Sequence, residues 1–107
     1  MRCAVIQTTG EDLMPKNTTI TCPAGVPTRL TDAAVSAARV IGEESFHLCA
    51  TTDTTAPSSI SGAVTMLPWS VLAADLALSD RFPGVGETVH LWAWPTTEAV
   101  DVSVSHA

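Results

Sequence analysis

Apolar and polar residues alternate most cleanly near the C-terminus. From Ala99 to Ser105 every second residue is valine, so Val100, Val102 and Val104 share one face. Asp101, Ser103 and Ser105 take the other, the period of two expected of a half-buried strand. Glu87 to Trp94 repeats the pattern, with Val89, Leu91 and Ala93 against His90, Trp92 and Trp94. Pro95-Thr96-Thr97 then predicts a connection, and 87–105 a C-terminal hairpin, although no Asn-Gly pair specifies its turn. Earlier, Phe46, Leu48 and Ala50 form one strand face and Thr18, Ile20 and Cys22 another. Val64 to Leu67 is a short apolar run between Gly62 and Pro68. Leu72, Ala74, Leu76 and Leu78 predict a further strand face, ending at the Ser79–Gly84 turn.

Two alanine-rich stretches, Thr31–Ile41 and Ser70–Leu78, have helical propensity instead. An isolated two-turn helix is marginal, so for the first a turn over 31–34 followed by a strand is expected. Asp53 to Ser61 has no periodicity and predicts an exposed loop. The seven prolines are dispersed, which disfavours long helices. Short strands at even spacing predict an all-β, single-domain β-sandwich, jelly-roll-like, over residues 1–107. Residues 1–25 are either an arm or the first strands.

Composition narrows the function. The 107 residues are 46% hydrophobic and 15% charged, enough apolar surface for a core and little charge for an open exterior. That balance favours a chain covered by neighbours. The net charge is −6, and Arg2, Lys16, Arg29, Arg39 and Arg81 form no run. Nucleic-acid binding, which needs clustered cations, is not expected. No apolar stretch approaches the length of a membrane span, and the start MRCAVIQTT does not read as a signal peptide.

Little chemistry emerges from the motifs. Cys3, Cys22 and Cys49 contain no CxxC pair and read as reduced, buried thiols. His47 and Cys49 share one strand face, roughly 7 Å apart. With Cys22 they would make an N/S metal set, an alternative without zinc-finger spacing to support it. No His-x-His pair, Gly-x-Ser-x-Gly elbow or glycine-rich phosphate loop occurs. A Cys49 nucleophile beside His47 or His90 rests on residue type alone. No enzyme activity and no cofactor is expected. Trp69, Trp92 and Trp94 are the candidate contact residues. With Leu91 in the core, Trp92 and Trp94 face outward, as anchors for a protein partner or a sugar ring. The opposite assignment makes that face the core.

From Val26 to Ala107 the chain resembles small virion proteins of tailed bacteriophages. Four segments carry the likeness in order: Pro27-Thr28-Arg29-Leu30-Thr31-Asp32; Thr55-Ala56-Pro57 with Gly62; Leu76 to Val85; and Trp92-Ala93-Trp94 with the ending Val102 to Ala107. The resemblance implies a β-sandwich built into the particle. Within that class a capsid cement or decoration protein is expected, a homotrimer on the outer surface of the head. It would bind the major capsid protein and bridge capsomers. The alternative is a fibre, spike or tail module that binds host glycans.

Overall fold

The computed structural model describes residues 16–106. Of residues 1–25, expected to be either an arm or the first strands, 1–15 lie outside the described residues, and Cys3 with them. The elements are β1 (Lys16–Cys22), β2 (Thr28–Arg29), β3 (Arg39–Gly42), β4 (Phe46–Thr51), β5 (Val64–Met66), β6 (Val71–Leu72), α1 (Leu78–Arg81), β7 (His90–Trp94) and β8 (Val100–His106). The strands form two four-stranded sheets, ordered β1-β8-β3-β6 and β2-β7-β4-β5. All pairings are antiparallel. The fold is the expected all-β sandwich.

The strand order also has a simple origin. β1 pairs with β8, β2 with β7, β3 with β6 and β4 with β5. This is one long two-stranded ribbon rolled on itself. The roll is closed by two further pairings, β8 with β3 and β7 with β4. That is the jelly-roll arrangement, in which rolling buries one face of every strand.

The core follows the alternation. From β8, Val100, Val102 and Val104 point inward, together with Val40 of β3 and Leu72 of β6. From the facing sheet come Phe46, Leu48, Leu91 and Ala93. Each fully buried valine or leucine contributes about 1.5–3 kcal/mol over an exposed one. The predicted turn at 31–34 is a bend at Asp32-Ala33 that precedes β3. Val35 then exchanges two backbone hydrogen bonds with Val89, each 2.9 Å. Buried Thr31 accepts the Leu91 N–H at 3.2 Å through its hydroxyl, where the backbone ladder is broken.

Two expectations are corrected. The segment 87–105 is not a hairpin: β7 and β8 lie in different sheets, and 95–99 arches between them. Pro95 is fully buried in this arch, and its carbonyl accepts the Gly25 N–H at 2.8 Å. The arch is thereby tied to the β1–β2 turn instead of reversing within one sheet. The strand expected over 72–78 is also absent beyond Leu72. The chain turns at 73–76, closed by Leu76 N–H to Ala73 C=O at 3.3 Å, and α1 begins at Leu78. Leu78 and Phe82, four residues apart, sink into the core together and plug it.

Gly42 sits where no side chain fits. It faces inward on β3, and a Cβ there would lie 2.5 Å from Cε1 of Phe46. Gly42→Ala must push that buried ring aside. A loss of about 1–3 kcal/mol is expected by urea unfolding. An unchanged midpoint would contradict the packing described.

Candidate functional site

The two outer faces differ. On the second sheet, His47, Cys49 and Thr51 of β4 lie beside His90, Trp92 and Trp94 of β7. The register places Trp94 opposite His47, Trp92 opposite Cys49 and His90 opposite Thr51. Arg29 and Thr65 flank them from β2 and β5. Of the two assignments left open for Trp92 and Trp94, the outward one is found, with Leu91 and Ala93 in the core. Trp92 is nevertheless only 6% exposed. Its Nε1–H donates to Thr51 Oγ1 at 2.8 Å, and that hydroxyl donates to the Asp53 carbonyl at 2.7 Å. An indole covered and hydrogen-bonded in this way has little surface left to offer a partner. Trp94 is half-buried.

The supposed metal set does not assemble. Cys22 pairs with Val100 in the first sheet and points into the core, whereas His47 and Cys49 lie on the outer side of the second sheet. Burial pushes the Cys22 thiol up to about 11, and burial also raises Cys49. Both are free thiols, held protonated at neutral pH and poor as nucleophiles or ligands. Among the described residues no group of three or more His, Cys, Asp and Glu is placed to hold a metal ion. Among the described residues, His90 Nδ1 is buried without a hydrogen-bond partner. A hollow of about 420 Å³ is lined by Cys49, Pro57, Gly62, Arg81 and Phe82 among others, with no carboxylate or imidazole among the described residues that line it.

The first sheet carries the open indole. Leu67-Pro68-Trp69-Ser70 is a tight turn, closed by Ser70 N–H to Leu67 C=O at 3.0 Å. Proline takes the second position and Trp69 the third, with a φ of +64°. That region suits glycine, so tryptophan there is strained. The Ser70 hydroxyl clamps the turn, donating to the Leu67 carbonyl at 2.8 Å and accepting the Leu67 N–H at 3.0 Å. Trp69 N–H donates to the Gly42 carbonyl at 2.8 Å, fixing the turn against the end of β3.

Trp69 is 67% exposed, and with Leu67 and Val71 it makes an apolar rim. Beside it lies a hollow of about 230 Å³, lined by Thr19, Ile41, Glu43, Trp69, Asp101 and Ser103. Thr21 donates to Asp101 Oδ1 at 2.7 Å, and Arg39 donates to Ser103 Oγ at 3.0 Å. The polar groups are thus positioned by neighbours on the same sheet face. Sequence reasoning named Trp69 but argued from the β7 pair. The overlooked signal is Pro68-Trp69 between an apolar run and a serine, a turn that sets the indole outside.

No protein-family model, no curated protein and no solved structure matches this chain.

The Trp92–Thr51 bond is a pairwise prediction. Trp92→Phe and Thr51→Val should each cost about 1 kcal/mol, and the double variant clearly less than their sum. Denaturant unfolding of the four proteins checks this. Strict additivity would mean that the bond carries no stability.

Proposed function

We propose that this chain is a structural, non-catalytic subunit of a tailed-phage particle, a cement or decoration protein on the outside of the head. The observation that carries the reading is the outer edge of β1, unpaired among the described residues, on a jelly-roll sandwich. β1 is seven residues long and pairs with β8 in unbroken register from Lys16–His106 to Cys22–Val100. Among the described residues no strand pairs with its other edge. Protected edges carry prolines, bulges or repeated lysines, and β1 has one lysine, at its end. Its inward-facing Thr18 is exposed as well, so the flank beneath the edge is open.

A strand from a neighbour would extend this sheet and cover Thr18. Repeated around an axis, such contacts make a closed ring, the proposed homotrimer. Each subunit would then add a modest interface with the major capsid protein, multiplied over many copies. The acidic net charge of −6 suits a surface turned away from packaged DNA. The ordered likeness to small virion proteins supports the same placement.

Two measurements test the reading. Quantitative mass spectrometry of purified particles should find on the order of hundreds of copies, the number expected of avid shell binding. Absence from the particle, or a copy number typical of a fibre, would refute the placement. Thr18→Pro and Thr19→Pro separate edge from fold, because adjacent N–H groups of a strand point to opposite sides. One variant should lose a bond to β8 and be destabilised. The other should fold normally and fail to assemble. Normal assembly by both would refute the edge contact.

A further inference from the structure

We infer that the hollow beside Trp69 is a binding site for one pyranose ring of a neutral glycan. The inference goes beyond the proposed role in the particle and does not depend on it.

The first support is the indole. A tryptophan two-thirds exposed leaves a flat apolar face in water, and this one is held there at a φ of +64°, where glycine would be unstrained. A turn that needs only glycine for its geometry carries instead the largest side chain. The strain is held by the Ser70 clamp and by the bond from Trp69 N–H to Gly42. Strain maintained in this way directs attention to what the side chain presents. The C–H face of a pyranose has the size and polarity to stack on an indole.

The second support is the ring of polar groups beside that face. Glu43 and Asp101 supply carboxylate acceptors, and Thr19 and Ser103 supply hydroxyls. Sugar hydroxyls are donors, and carboxylates make the stronger, charge-assisted bonds with them. One oxygen of Asp101 is already oriented by Thr21. Arg39 donates to Ser103 Oγ, which directs that hydroxyl's own proton elsewhere, toward an acceptor such as a sugar oxygen. Ile41 adds an apolar contact to the hollow.

Size and charge select the ligand. About 230 Å³ falls below the range of drug-sized pockets and suits a single ring with the rest of a chain in solvent. Two carboxylates disfavour sialic and uronic acids by like-charge repulsion. Neutral hexoses and N-acetylhexosamines remain. The site lies on the outer side of the first sheet, so a strand added at the β1 edge leaves it open.

The test is titration of the full chain, followed by ¹⁵N NMR and tryptophan fluorescence. Glucose, galactose, mannose, N-acetylglucosamine and their disaccharides are the neutral probes. N-acetylneuraminic and glucuronic acids are the anionic ones. At least one neutral sugar should bind with a millimolar Kd and shift the Trp69 indole resonance. Asp101→Asn and Glu43→Gln should each weaken it several-fold. Trp69→Gly is the decisive variant: it removes the platform and relieves the backbone, so it should fold at least as stably while affinity falls at least tenfold. Absence of binding by every neutral probe at 50 mM (roughly ten times the Kd expected for such a contact) would overturn the inference. So would unchanged binding by Trp69→Gly, or equal affinity for the anionic sugars.

Discussion

The whole arrangement depends on β8 lying between β1 and β3 with its valines turned inward. Val100, Val102 and Val104 are essentially inaccessible to water, and they meet Ile20 and Cys22 of β1 on one side and Val40 and Gly42 of β3 on the other. A central strand has both backbone edges satisfied, so its position sets the register of two neighbours at once. A slip of one residue would move three valines to the exterior and bring Asp101 into the core. The apolar contrast between the faces of β8 is therefore what fixes the first sheet.

From that constraint follow the features used for function. Turning the valines inward turns Asp101 and Ser103 outward, Ser103 into one row with Thr19 and Ile41, and Asp101 beside it opposite Thr21. The turn after β5 then places Trp69 beside this row through its bond to Gly42. Pairing β1 on one side only leaves its far edge open among the described residues. On the second sheet the same alternation turns Trp92 and Cys49 outward, and there the chain covers its own surface. One sheet thus presents a polar hollow and an edge unpaired among the described residues, and the other buries Trp92, one of its two outward indoles.

Strand faces were legible from the sequence because alternation responds to burial. The faces assigned to 46–50, 87–94 and 100–104 are those found. Partners were not legible. A hairpin and an arch between sheets bury one face of each strand alike, so periodicity cannot distinguish them. The discriminating feature is buried Pro95, whose carbonyl is claimed by Gly25 seventy residues away. The leucines at 72, 76 and 78 satisfy a period of two, yet Leu78 belongs with Phe82 at a helical spacing of four. Trp92 and Trp94 drew attention as a pair, although exposure is set by how loops pack, which alternation does not encode. Trp69 is exposed because its turn carries it clear of the core, a consequence of Pro68 and of a backbone conformation unusual for tryptophan.

Placing β8 in the middle of the first sheet is testable by backbone nuclear Overhauser contacts in isotopically labelled protein. The account predicts cross-strand contacts from the Val102 region to Ile20 on one side and to Gly42 on the other. It predicts none between the backbones of 90–94 and 100–104. Ladder contacts between those two segments would mean that the last two strands form a hairpin, and would contradict the rolled-ribbon order on which the rest stands.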